Sequence, residues 1–522
     1  MADEKKKMVI GEISKEEFLE RSPQPIAEPR LKRIDREQAR FEPLVVDELI
    51  EEDHLARAIW EMTGHLDLSG YHGKIRAVEG VAGRERTDPR LLLALWLYSY
   101  TQSVSSAREI ERLCGHHPAY RWLCGLEVVN YHTLSSFRVE NKEVLEGLFV
   151  EQLGILSKEG FIDLKEVMHD GTKVLAQAGS GTFRREATLE EHLKMARKMV
   201  EELTDPEQGE EVSKRKQSAR RRAREEGLER LKLGQQELAK IRAGKRTAAE
   251  KKKEARVSET DPEARIMKQG NGGYAPSYNV QITTDEKEKI VIAVAATQSA
   301  SDANELMPAV ERVEKNLGTK PTQAVVDAGF TTRGNIVEMA EQKIEFIGSL
   351  NDTKNQVDAT YARRGVTEEF RSERFKYIEE SNTFICPNEK VLAYKSKDKL
   401  PGAMAYTYQA EVKDCEACRF KQQCCPKTKS GRKLVRTVEG PEVVAYRERM
   451  ETEEAKKSYG KRSEVAEFPN LWIKEKLGLR KFRLRGLAKA GIEATWACLT
   501  YNIQQWIRLI WRPKLKAAAG TA

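Results

Sequence analysis

Between residues 41 and 160, apolar side chains recur every three or four positions, the period of helices that bury one face. DPRLLLALWLYSY supplies its own start: Asp88 can cap, Pro89 suits the first helical position, and an apolar run follows. SSAREIERLCG and HTLSSFRVENKEVLEGLFVEQLGIL each open on Ser or Thr before a helical pattern, so residues 41–160 read as an N-terminal all-α domain. Short helices joined by tight turns fit a plain bundle, or a helix-turn-helix that lays a basic helix in a DNA groove, and the pattern leaves both open. Residues 1–40, with SPQPIAEPRLKR, read as an extended, proline-punctuated segment.

Near residue 161 the period changes. FIDLKEVMHDGTKV has the short, partly β-branched character of a strand ending at Gly171, so residues 161–182 are expected to hold a first core strand bearing Asp170. Residues 183–268 are rich in charge and poor in β signal. Leu189, Leu193, Ala196, Val200 and Leu203 recur at alternating four- and three-residue steps, a coiled-coil seam. TDPEQGEE interrupts it and LERLKLGQQELAKI resumes, which predicts a charged helical-hairpin insertion. Its basic clusters (KRK at 214–216, RRR at 220–222, KKK at 251–253) suit a polyanion, and equally a solvated helix surface.

Strands return over 269–355. In YNVQITT, Tyr278, Val280 and Ile282 alternate with Asn279, Gln281 and Thr283; DEKEK turns the chain and IVIAVAA completes a hairpin. SDANELMPAVERVEKNL reads as a capped helix, QAVVDAGF as a strand ended by Asp327 and Gly329, and a further helix leads to the strand IEFIGSL. A Cys-containing insertion over 356–440 and C-terminal helices over 441–522 complete the chain. Three strands, helix, strand, helix, strand is the order of a ribonuclease H-like α/β core with a mixed sheet, whose first and fourth strands adjoin. That adjacency would bring Asp170 and Asp327 within reach of common cations, and hard divalent metals prefer carboxylate oxygens. An Asp at a strand end can also do no more than open a turn. YGKRSEVAEFPNLWIKEKLGL offers Glu464 and Glu467 as a third acid.

With HDGTK around Asp170, VVDAGF around Asp327 and a Tyr/Arg/Glu/Lys signature near the third acid, the chain resembles a DDE transposase of bacterial insertion sequences. The likeness extends to GRERTDPRLLLALWLYSYTQSVSSAREIERL, DPEARIMKQGNGGYAPSYNVQ and LRKFRLRGLAKAGIEATWACLTYNIQQW. Tyr459 and Arg462 are separated by two residues and Glu467 and Lys474 by six, as in such transposases; the Arg462 to Glu467 interval is one residue longer than the commonest form, and the interval to Lys474 favours Glu467 over Glu464. The resemblance implies Asp170, Asp327 and Glu467 as a catalytic and metal-binding triad. It implies two magnesium or manganese ions, about 3.5–4 Å apart in such sites, with Tyr459, Arg462 and Lys474 binding DNA phosphate. The implied partners are double-stranded terminal inverted repeats and target DNA, and synapsis of two ends implies at least a dimer. A structure-selective nuclease, or a non-catalytic DNA-binding scaffold of transposase descent, would retain parts of the same pattern.

Composition narrows the class. Hydrophobic residues make up 39% and charged residues 33% of 522, a globular balance with room for more than one core. Lys plus Arg exceed Asp plus Glu by 90 to 82, a net charge of +8 that suits a polyanionic partner without requiring one. IEATWACLTYNIQQWIRLIW is interrupted by Glu493, Asn502, Gln504, Gln505 and Arg508 and reads as an amphipathic, buried helix, not a membrane span. MADEKKKMVIGEISKEEF lacks the apolar core of a secretory signal, so a cytoplasmic setting is expected, where eight cysteines do not imply disulfides. Five cluster late. Cys415 and Cys418 form a C-x-x-C pair which, with Cys386 and Cys424 or Cys425, has the outline of a structural zinc site; reduced, unligated thiols fit equally. Cys114, Cys124 and Cys498 read as core residues.

Overall fold

The chain is described here by a computed structural model covering residues 43–75, 85–201, 214–244, 254–350 and 354–520. The segment expected over 1–40, the break TDPEQGEE, Leu203, the KKK cluster and the side chains of the KRK cluster lie outside the described residues. Every element below belongs to the unit Val46–Ala522.

Strand β1 (Glu166–Leu175) lies at the centre of a mixed six-stranded sheet. After it come the two-residue strands β2 (Phe183–Arg184) and β3 (Val257–Ser258), which pair only with each other, and then β4 (Arg265–Lys268), β5 (Tyr274–Asp285), β6 (Val291–Thr297), β7 (Gln323–Val326) and β8 (Glu345–Ile347). The path is β4-β5-β1-β7-β8, with β6 also paired to β5. The β1–β5 pair is antiparallel and the β1–β7 and β7–β8 pairs are parallel. Gly171 does not end β1, as the sequence suggested; the strand runs four residues further. A Cβ there would lie 2.5 Å from Asp302 Oδ1 and 2.7 Å from Gln281 Nε2, so the glycine admits two polar side chains against the backbone.

Asn279, Gln281 and Thr283 alternate as expected with Tyr278, Val280 and Ile282, yet all six are buried. Both faces of β5 are therefore covered, and the polar residues face other polar side chains instead of water. The helix expected from SDANEL starts late, at Leu306, with no side-chain cap on Glu305, because Asp302 is committed to the sheet.

Helix Pro89–Thr101 begins as predicted, with Asp88 accepting from Arg90 N at 2.8 Å. The long pattern after His132 is two helices, Tyr131–Glu140 and Lys142–Lys158, broken at Asn141; the first is capped by Asn130, which accepts from His132 N at 2.8 Å, and not by Thr133. These helices share one hydrophobic core with the sheet and with Leu487–Trp506. That C-terminal helix is buried on every side through its middle, not amphipathic. Its charge survives burial because Glu493 meets Arg138 at 3.2 Å and accepts from Arg483 N at 3.0 Å.

The charged insertion is the expected hairpin: Glu186–Glu201 packs against Lys214–Ala243, and Leu189, Leu193, Leu238, Ala255 and Val257 close a small core at its base. The insertion over 356–440 carries a second, five-stranded sheet, ordered β13-β12-β11-β10-β9, from β9 (Lys376–Ile378), β10 (Thr383–Ile385), β11 (Val391–Leu400), β12 (Ala403–Ala410) and β13 (Lys433–Glu439). Its core is separate and small, with nine buried residues, two of them Cys424 and Cys425. Among the described residues no helix is long and apolar enough to cross a membrane.

Candidate active site

Parallel pairing of His169 with Val326 sets the next residues, Asp170 and Asp327, side by side where β7 ends. Asp327 turns its carboxylate onto its own loop, accepting from Gly329 N at 2.7 Å, so the turn-opening role that any Asp could play is present. Asp170 is less satisfied. It accepts from Gly171 N at 2.9 Å and from Asn470 Nδ2 at 3.0 Å. Burial, and then the charge of Asp327, push its pKa up to about 6 against the opposing pull of Arg462. A carboxylate whose proton affinity is raised by burial and by a neighbouring carboxylate is one that a bound cation relieves.

Arg462 connects this pair to the third acid. Its Nη2 lies 2.6 Å from Glu467 Oε1, and its charge acts on Asp170. The chain between them, Ser463–Glu467, is a π-helical turn leading into the α-helix Phe468–Glu475. A π-turn absorbs one extra residue within a continuing helix, which accounts for the lengthened Arg462 to Glu467 interval. Val465 and Ala466 within it are buried against Met168, Val325 and Ile347, fixing the turn to the sheet. Glu464 leads elsewhere: it is ion-paired to Lys289, in the turn between β5 and β6.

Beyond Glu467, Asn470 and Lys474 continue one helix face. Lys474 is half-buried; burial lowers its pKa, and Asp170 is the largest influence opposing that. Asn470 was not singled out in the sequence, where it is one amide in FPNLW. It is 6% exposed, donates to Asp170 and leaves its Oδ1 buried without a partner. Tyr459 packs partly buried against the cluster of Met168, Val325 and Ile347.

The opposite face of β1 holds a second polar cluster, also unread in the sequence. His169 Nδ1 lies 2.9 Å from Thr283 Oγ1 and Nε2 2.8 Å from Gln281 Oε1, with Phe330 edge-on to the ring. Asp302 accepts from Asn279 Nδ2 at 2.6 Å, Gln281 Nε2 at 3.0 Å and Lys173 Nζ at 3.1 Å. A Cβ on Gly329 would lie 3.0 Å from Asp327 Oδ1 and 3.7 Å from Asp302 Cβ, so this cluster abuts the turn that carries Asp327. The signal was the paired alternation of β1 and β5, which puts His169 and Gly171 opposite Thr283 and Gln281.

Among the described residues no three His, Cys, Asp or Glu side chains stand at mutual metal-holding distance. Asp170 and Asp327 adjoin, Glu467 reaches them through Arg462, and the triad is not drawn onto one point. Cys386, Cys415, Cys418, Cys424 and Cys425 line one small cavity in the 356–440 insertion, away from these acids in a separate core. Cys114, Cys124 and Cys498 are buried in the main core.

Residues 385–507 match a family described as a transposase DDE domain, and residues 44–140 match one described as a transposase domain, DUF772. Two segments of the chain are thus similar to transposase domains. The resemblance to an insertion-sequence DDE transposase is thereby borne out. The DDE match spans Glu467, Lys474 and the late cysteines, while Asp170 and Asp327 precede it. No curated protein matches the chain. Among solved structures, the cryo-EM structure of the piggyBac transposase synaptic complex with hairpin DNA is similar at 10% identity and a TM-score of 0.29, over 87% of this chain and 75% of that one. Likeness that slight says nothing further about this chain.

Proposed function

We propose that this transposase-domain chain has a ribonuclease H-like core and is a DDE polynucleotidyl transferase. In this reading it cuts DNA at the terminal inverted repeats of its own element and joins the freed 3′-hydroxyls to target DNA. The observation that carries the proposal is the pairing of Asp170 with Asp327, with Arg462 tying Glu467 to the same end of the sheet.

Divalent magnesium or manganese fits the donors present. They are all oxygens, burial and the charge of Asp327 raise the proton affinity of Asp170, and Asn470 Oδ1 is a buried acceptor without a partner beside Asp170. Asp170, Asp327 and Glu467 would hold the ions, which when bound supply charge neutralisation at the phosphoryl group and a more acidic attacking hydroxyl. The rest falls to the chain. Asn470 fixes one Asp170 oxygen, and Arg462, now occupied by Glu467, is positioned to exchange that carboxylate for a DNA phosphate. Lys474 brings a partly desolvated cation to the same helix face, where its attraction for phosphate is screened less than at an open surface. Tyr459 anchors the helix before Arg462 through its buried ring.

The test uses a duplex ending in the element's own inverted repeat, with magnesium, scoring both hydrolysis and strand transfer. Asp170→Asn, Asp327→Asn and Glu467→Gln are each expected to abolish both products while retaining DNA binding. Full cleavage by any one variant removes that residue from the triad. Cleavage without strand transfer by the unmodified protein would make it a nuclease.

A further inference from the structure

The five late cysteines come from three separate turns and meet around a cavity of about 20 Å³ in the small domain. That volume admits one water-sized particle and no organic ligand. Three of the sulfurs receive N–H groups: Cys386 from Lys390 N at 3.3 Å, Cys415 from Arg432 N at 3.3 Å and Cys418 from Asn388 Nδ2 at 3.6 Å. The first of these depends on a strained turn. Glu389 sits at φ +55°, and Cys386 N returns a bond to Lys390 O at 2.9 Å. Donors aimed at sulfur stabilise thiolate over thiol, as the outer shell of a metal site does. Cys498 provides an internal contrast: it is buried alone in the main core, its pKa pushed up by burial with nothing opposing.

The surroundings agree. Burial raises the Cys415 thiol, and Cys425 and Cys418 add to that rise. Burial pushes the Cys424 thiol up to about 12, opposed first by the guanidinium of Arg432. The domain's own core is small, with nine buried residues among those described, two of them cysteines of this cluster.

We infer that Cys386, Cys415, Cys418 and one of the Cys424–Cys425 pair form a four-thiolate site for a structural zinc ion that fastens the turns of the small domain to its sheet. The sulfurs line the cavity without converging at metal-holding distance. A tetrahedral ion with bonds of about 2.3 Å would draw them to roughly 3.8 Å from one another. The inference stands apart from the transposase reading, since it concerns metal content and not DNA chemistry.

The test is elemental analysis of the full-length chain purified without chelators and with zinc in the medium, joined to cobalt titration of metal-stripped protein. The expected result is about one zinc per chain and thiolate-to-cobalt charge-transfer absorption. Cys415→Ser with Cys418→Ser should lose both, and Cys498→Ala neither. Cys386→His, which keeps a ligand, should retain zinc while weakening the charge-transfer band, so loss by unfolding is told apart from loss of a ligand. One of Cys424→Ala and Cys425→Ala should release the metal. Zinc-free protein that gives no cobalt–thiolate band, undiminished zinc in the double variant, or undiminished zinc in both Cys424→Ala and Cys425→Ala would each overturn the site.

Discussion

On one face of β1, Asp302 accepts from three side chains, Asn279, Gln281 and Lys173, the last contact being also an ion pair. On the other, Asp170 faces Asp327, holds two hydrogen bonds and lies beside an amide oxygen with no partner. The two carboxylates lie on opposite faces of β1, Asp170 within the strand and Asp302 in the loop that follows β6. Saturation is what differs. A buried carboxylate whose donors are all in place supports the fold, whereas one left short of positive charge is poised for a ligand.

The largest effect expected from that contrast is on Asp170. Asp170→Asn should lower strand cleavage about a thousandfold or more, the scale of removing an essential ligand or nucleophile-activating group. It should not destabilise the chain. Because the folded-state pKa is raised to about 6, the carboxylate opposes folding above that pH, and an isosteric neutral amide relieves up to about 3 kcal/mol at neutral pH. Cleavage assays beside urea unfolding of both proteins check this. A variant that is inactive and also markedly less stable would place Asp170 with Asp302.

Asp302→Ala should show the reverse emphasis. It removes the shared acceptor of Asn279, Gln281 and Lys173, leaving Asn279 Nδ2 only its bond to Ser299 O, and should cost about 3–5 kcal/mol of stability in the same unfolding assay. Activity would fall only as far as the Asp327 turn loosens. An Asp302→Ala chain that keeps its stability but loses cleavage entirely would make Asp302 part of the reacting cluster and erase the distinction between the faces.

This division was half legible in the sequence. Asp170 and Asp327 stood out because each ends an apolar run beside a glycine, and the order of elements brought their strands together. The third acid was harder, since choosing Glu467 over Glu464 required accepting one surplus residue after Arg462. The π-turn explains that residue, and turns of this kind have no spelling that a periodic pattern reveals. Asp302 and Asn470 were passed over for a different reason. Asp302 looked like part of a helix cap, and Asn470 like one polar position in a helix; only pairing of β1 with β5, and packing of Phe468–Glu475 onto β1, shows where their side chains go. The start of the hairpin's seam was legible because it is local: Leu189 and Leu193 are buried at the spacing read from the sequence.

His169 sharpens the comparison through pH. Burial lowers its pKa to about 4, so it is neutral in the folded chain while the unfolded chain takes up a proton near 6.5. Its contribution is fully present above about pH 6.5 and is lost as pH falls toward 4, by up to about 3 kcal/mol. Asp170 and Asp285, both raised to about 6, work in the opposite direction across part of that range. Total stability therefore hides the histidine, and the informative quantity is the difference between the unmodified chain and His169→Asn. That difference should shrink from pH 7 to pH 4. A difference flat with pH would mean that His169 is not held neutral by Thr283, Gln281 and Phe330.

The smallest expected effect, and the most direct test of the open face, is at Asn470. Its Nδ2 favours the ionised form of Asp170 by a single hydrogen bond. Asn470→Ala removes that bond, and a hydrogen bond to a charged group contributes about 1.5–3 kcal/mol at most, so the Asp170 pKa should rise by about one unit. If cleavage requires ionised Asp170, the acid limb of its pH profile should move up by the same amount, with the plateau at higher pH reduced far less. Helix damage would instead lower the rate equally at every pH. A limb that stays in place would show that Asn470 merely packs beside Asp170, and that the unsatisfied character of this face resides in the two aspartates alone.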